Sequence, residues 1–231
     1  MIYHRYQSVF KTIAATTALL LVAACSDSGA DKATTTASAA KTAEASSTSA
    51  PAMAVDSQRE GTWGDIVYGS ADAPVTIIEY ASLTCSHCAT FKREIFPNLK
   101  KEFIDTGKVK FIYRNFLLNR VDMVASAVAR CGDLKQTKKL MDVYFDRQGE
   151  WLSSQDPQSE LAKLARRSVN MSRVKFDKCL SNKDMHKHLV QMQADARKDY
   201  NIQATPTVIV DGSTLDGLSW ETLKEAVEAQ L

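Results

Sequence analysis

The 231-residue sequence predicts an α/β domain in which a small sheet is interrupted by a helical insertion. Three observations carry that reading. Apolar, strand-like runs stand at residues 75–80, 109–113 and 207–210. A helical stretch beginning at Ser86 joins the first two, which makes a βαβ unit. Between about residues 122 and 200 the spacing is helical throughout, with three apolar stripes: Val124, Ala127, Val128 and Cys131; Leu161, Leu164 and Ala165; Leu189, Met192, Ala196 and Tyr200.

The first residues read as an export signal. Arg5 and Lys11 give a positive start, and residues 12–24 form an apolar stretch too short to span a bilayer. It ends in Leu21-Val22-Ala23-Ala24-Cys25, which resembles a bacterial lipobox. Residues 1–24 are therefore expected to be a lipoprotein signal peptide and Cys25 the lipidated mature N-terminus. An ordinary secretory signal that happens to contain a cysteine is the alternative. Either one exports the chain to an oxidising compartment. In residues 26–54, 21 of 29 positions are Ala, Ser or Thr. Such a segment cannot bury enough apolar surface to offset its ordering entropy, so residues 25–57 are expected to form a flexible tether. Its reach is about 30 Å as a coil and about 100 Å if pulled straight.

Residues 58–231 then make one domain, long enough for its own core. Without Arg5 and Lys11 the chain carries 27 basic and 27 acidic residues, which gives no reason to expect a nucleic-acid partner. Pairs such as Lys138-Lys139 and Arg166-Arg167 read as solvated helix faces. The helix from Ser86 should continue past Pro97 with a kink, because proline removes a helix hydrogen bond. A last helix should run from the N-cap Ser219 to Ala229.

The chemistry is concentrated in Cys85-Ser86-His87-Cys88, a CxxC at the junction of strand and helix. There the first cysteine sits at a helix N-terminus, where unpaired N–H groups and the macrodipole favour a thiolate. The thiolate is the nucleophile of disulfide exchange. CxxC also serves zinc and copper sites, but a closed zinc site needs two further ligands, and the chain has no second CxxC and no HxxxH. His186 and His188 lie two apart on a helical stretch and point to different sides of it. No metal or bound cofactor is expected. Trp63, Trp151 and Trp220 read as packing anchors.

Ala204-Thr205-Pro206-Thr207 precedes the third apolar run, and proline at the start of a strand need not donate a ladder hydrogen bond. The order strand, CxxC, helix, helical segment, then Thr-Pro-Thr into Val-Ile-Val-Asp-Gly resembles the DsbA-like branch of the thioredoxin superfamily, over about residues 63–231. The resemblance implies a thioredoxin fold with an inserted all-helical subdomain. It also implies a cis Pro206 lying against the CxxC, and backbone groups of Thr205 offered to a substrate peptide beside Cys85. Ser86-His87 replaces the frequent Pro-His pair of that family, while His87 keeps the position associated with an acidic nucleophile. Glu79, six residues before Cys85, matches the buried acid of thioredoxin-like proteins and would exchange a proton with Cys88. An outward-facing residue on an edge strand is the alternative. Cys131 and Cys179 are left over in an exported chain and are expected to pair, as a second disulfide does in some DsbA-like proteins; two buried free thiols are the alternative.

The resemblance implies a monomeric, periplasmic thiol:disulfide oxidoreductase. It would take disulfides from a DsbB-type membrane reoxidant and pass them to unfolded or reduced exported proteins. A disulfide isomerase or reductase uses the same chemistry, but the exported isomerases of this superfamily dimerise through a substantial N-terminal domain, where this chain has a low-complexity tether. A copper or zinc metallochaperone using Cys85, Cys88 and His87 is the alternative of a different class.

Overall fold

A computed structural model describes residues 62–231; the expected signal peptide, Cys25 and the tether lie outside the described residues. Five strands form one sheet in the order β1-β3-β2-β4-β5, with β1 Ile66–Tyr68, β2 Val75–Ala81, β3 Val109–Asn115, β4 Thr207–Val210 and β5 Ser213–Thr214. Strands β2 and β3 are parallel, from Val75 opposite Val109 to Ala81 opposite Asn115, and the other pairings are antiparallel. Strand β2 is central, which is why its sequence is a nearly continuous apolar run: Val75, Ile77 and Ala81 feed the main core on one face, while Ile78 and Tyr80 feed a smaller cluster on the other.

Two strands were not expected. Strand β1 has three residues, too few for an alternating pattern to show. Strand β5 follows Asp211-Gly212, which both adopt positive φ (43° and 85°) and join Val210 to Ser213 in a two-residue hairpin.

The chain is helical from Ser86 to Ile104, but Pro97 reshapes it. An α-helical turn, α1 Ser86–Thr90, passes into a π turn over Phe91–Ile95, then α2 Phe96–Leu99 and a second π turn over Lys100–Ile104. Pro97 has no N–H to give, and the turn before it widens so that the Phe96 N–H donates to the Phe91 carbonyl.

The insertion between β3 and β4 consists of six helices: α3 Arg120–Ala129, α4 Leu134–Asp146, α5 Gln148–Leu152, α6 Pro157–Val169, α7 Arg173–Leu180 and α8 Lys183–Tyr200. Side-chain caps at Asn119, Asp133, Asp156, Ser172 and Asn182 each accept a backbone N–H and start a new helix. Cys131, just past α3, is bonded to Cys179 of α7, with the Cα atoms 5.7 Å apart. Helix α9, Trp220–Glu228, starts from a capping box between Ser219 and Thr222. Trp151 is fully buried and its Nε1–H donates to the Tyr144 carbonyl, whereas Trp63 is partly exposed beside the His188 ring. No helix of the described residues is long and apolar enough to cross a membrane.

Candidate active site

Cys85 occupies the N-cap of α1 (φ −83°, ψ 121°), and Cys88 lies one turn in. Both thiols are free, but they differ in surroundings: Cys85 is 8 % exposed and Cys88 is fully buried. The Cys85 thiol is pulled down from 9.0 to about 5. The hydrogen bond from the Cys88 thiol is the main cause; the backbone N–H groups of Cys88 and His87 add to it, against the opposing effect of burial. Burial pushes the Cys88 thiol far up, and its bond to Cys85 adds to that. One sulfur, the less deeply buried, is thus a nucleophile and good leaving group, and the other is its protonated reserve. His87 acts on the sulfur through its backbone N–H; Ser86 and the His87 ring are exposed.

Across from the helix end, the Thr205–Pro206 peptide is cis, and the Thr205 carbonyl accepts the Cys85 S–H at 3.4 Å. The two segments that the resemblance links, 120 residues apart in sequence, therefore meet at the sulfur.

Glu79 is 3 % exposed and stands on the central strand, not on an edge. The pleat places it on the same face of β2 as Ile77 and Ala81, toward the CxxC helix. Burial raises its carboxyl from 4.5 to about 8; the Lys92 charge opposes the rise and the Cys85 charge reinforces it. Lys92, in the π turn, is held 2.8 Å from Asp142 of the insertion and 3.5 Å above the Phe96 ring.

The insertion also grips the active-site loop through residues that the sequence reading did not single out. Gln148 is buried in α5, and its Nε2 donates to the Leu83 and Cys85 carbonyls, both at 2.9 Å. Asp122, fully buried in the first turn of α3, accepts the N–H groups of Leu83 (3.0 Å) and Leu118 (3.1 Å). Burial lifts its carboxyl to about 6 against those hydrogen bonds. Asp122 follows an N-cap, where an acid is ordinary, and Gln148 belongs to no stripe, so only the fold reveals either role. Gln148→Ala should cost about 1–3 kcal/mol, since it leaves the buried Leu83 carbonyl without its donor and the Cys85 carbonyl with the Ala89 N–H alone. It should also move the Cys85 pKa upward by loosening the N-cap. Denaturant unfolding and thiolate absorbance against pH check both effects.

Among the described residues no group of three His, Cys, Asp or Glu side chains converges as a metal-binding set.

Comparison with known proteins agrees with this geometry. Residues 61–229 match the thioredoxin family profile. The chain is 29 % identical to disulfide bond formation protein D of Bacillus subtilis over 177 residues, covering 73 % of this chain and 78 % of that one. It is also 29 % identical to a Rickettsia bellii relative that bears the name of a protein-disulfide oxidoreductase, covering 71 % of this chain and 63 % of that one. The chain thus spans about six tenths of the length of the Rickettsia relatives it matches. Among solved structures, Wolbachia pipientis alpha-DsbA1 is similar in fold (TM-score 0.67, 24 % identity, 72 % of this chain and 90 % of that one). A protein-disulfide isomerase from Novosphingobium aromaticivorans has TM-score 0.63 and 26 % identity, covering 71 % of this chain and 95 % of that one. Oxidised BdbD from Bacillus subtilis has TM-score 0.59 and 26 % identity, covering 72 % and 92 %.

Proposed function

The chain belongs to the thioredoxin family, with DsbA proteins among its structural neighbours, and from that premise we propose that it is a thiol:disulfide oxidoreductase that oxidises exported proteins through the Cys85–Cys88 pair. The observation that carries the reading is the split between the two sulfurs: a Cys85 at the edge of the core held near pKa 5 and a fully buried Cys88 held protonated. A couple whose reduced form gains a stabilised thiolate is shifted toward oxidation of its partners.

In the first step a substrate thiolate attacks Cys85 of the Cys85–Cys88 disulfide. The substrate–Cys85 bond forms, the Cys85–Cys88 bond breaks, and the leaving Cys88 sulfur takes a proton from Glu79. A second substrate thiolate then attacks the substrate sulfur, closes the substrate disulfide and expels Cys85 as a stable thiolate. The Thr205 carbonyl accepts the Cys85 S–H only when that thiol is protonated, so beside the disulfide or the thiolate it is free for an extended substrate strand. A DsbB-type membrane partner would remove the two electrons. Lipidation at Cys25, export to the periplasm and action as a monomer on a tether complete the proposal; fractionation of a Cys25→Ser variant tests the anchor. One structural neighbour is a protein-disulfide isomerase by name, and the direction of electron flow separates that activity from the oxidase proposed here.

The direct experiment mixes oxidised protein with a reduced, unfolded protein that needs disulfides. The expected result is gain of substrate disulfide matched by loss of the Cys85–Cys88 bond. Absence of transfer, with tight stoichiometric binding of copper or zinc to the reduced protein under anaerobic titration, would establish the metallochaperone instead.

A further inference from the structure

Charge is segregated in this domain. Residues 163–187, which span the end of α6, all of α7 and the start of α8, carry eight Lys or Arg against two acids. The other described residues carry sixteen Lys or Arg against twenty acids. All eight cations are exposed, and among the described residues only Lys163 and Arg173 are ion-paired, with Glu160 and Asp177. Arg166, Arg167, Lys175, Lys178, Lys183 and Lys187 are left facing solvent. Helix α7 buries Phe176 and Cys179, which turns Val174 and Lys178 to the opposite side. Val174 is 81 % exposed, more than any other large apolar residue described.

Two further facts orient this face. The Cys131–Cys179 bond fixes α7 at the C-terminal end of α3, while Asn119 at the other end of α3 donates to Thr84 of the active-site loop. Ten helical residues, about 15 Å, separate those ends. The polypeptide also enters the domain at the α7 end: Arg130, next to Cys131, donates from Nη1 to the carbonyls of Thr62 and Gly64 at 2.8 Å.

We propose that the basic face of α6, α7 and α8 is a docking surface for an anionic phospholipid bilayer, and that it seats the domain with Cys85 directed away from the membrane. Lys and Arg side chains take the headgroup phosphates, and Val174 at the pole of α7 enters the interface. An anionic protein partner would also complement the charge. The bilayer is favoured because the chain enters at this same end, and because the exposed apolar Val174 stands among the exposed Arg173, Lys175 and Lys178 of α7. The inference does not depend on the redox chemistry; its chain-entry argument rests on the membrane anchor proposed at Cys25.

The test uses the full-length chain carrying Cys25→Ser, reconstituted in vesicles of phosphatidylcholine alone or of phosphatidylcholine with phosphatidylglycerol. Amide hydrogen exchange then reads which segments the bilayer covers. With phosphatidylglycerol, exchange across residues 166–187 should slow by about tenfold or more, and 0.5 M salt should reverse this. The variant Arg166→Glu, Arg167→Glu, Lys175→Glu, Lys178→Glu should lose the protection while transferring disulfides as the parent does; its circular dichroism reports folding. Equal exchange on the two vesicle types overturns the proposal. So does protection by a soluble acidic protein without protection by the vesicles. If disulfide transfer fails in the parent while the lipid-dependent protection appears, the redox reading falls and this one stands.

Discussion

A Cys88→Ala variant should lose turnover completely and accumulate as a mixed disulfide through Cys85. The two sulfurs differ in access and in charge, so their loss should differ in kind. With Cys88 gone, the Cys85 thiolate still attacks a disulfide offered to it, forming one bond to sulfur and expelling the other as thiolate. Nothing buried beside it can then break the new bond. Cys85→Ser should be inactive with no adduct, because Cys88 is fully buried and held protonated. Non-reducing gels and mass spectrometry of the trapped species distinguish the variants. An adduct on Cys88 of the Cys85→Ser protein would reverse the assignment of nucleophile and reserve.

Glu79→Gln should stabilise the fold while slowing the reaction. The folded carboxyl holds its proton to about pH 8, whereas the unfolded one releases it near 4.5. Burying Glu79 therefore costs nothing below pH 4.5 and progressively more as pH rises toward 8. At pH 7 the cost is about 3 kcal/mol, which glutamine does not incur. Denaturant unfolding should show variant and parent equal near pH 4 and separated at pH 7. The glutamine cannot exchange the proton of Cys88, so the step that creates or consumes the Cys88 thiolate should slow by about 10²-fold, as for loss of a general acid–base group. A destabilised variant at pH 7 would mean that Glu79 is held ionised by Lys92.

Much of this was legible because local signals agree with the fold. The apolar runs of β2, β3 and β4, the CxxC at a helix start and the cap at Ser219 each follow from nearest-neighbour chemistry, and each stands where it was expected. The insertion was legible as helical, and its start at Arg120 is two residues from the expected one. What was not legible depends on distance in sequence. Strand β1 exists because Ile66 pairs with Tyr113, 47 positions on, and three residues carry no period. Gln148 and Asp122 reach the active-site loop from 63 and 39 residues away, and nothing in their own neighbourhoods marks them. The widened turns around Pro97 show the same limit: the missing N–H announces a disturbance, but packing decides that the helix continues through it.

The central claim is that Cys85 is a stabilised thiolate and that this makes the couple oxidising. Absorbance of the reduced protein against pH, followed by redox titration with glutathione, tests it most directly. The folded pKa lies below the unfolded one, so the extra stability of the reduced form is full above about pH 9 and is lost as pH falls through about 5. After allowance for solvent screening at the accessible sulfur, about 1–2 kcal/mol of it remains at pH 7, a shift of roughly 20–40 mV toward oxidation. A thiolate persisting down to about pH 5, with the oxidised form less stable than the dithiol, is the predicted result. A Cys85 pKa near 8 with a strongly reducing couple would contradict it and put the reductase reading in its place.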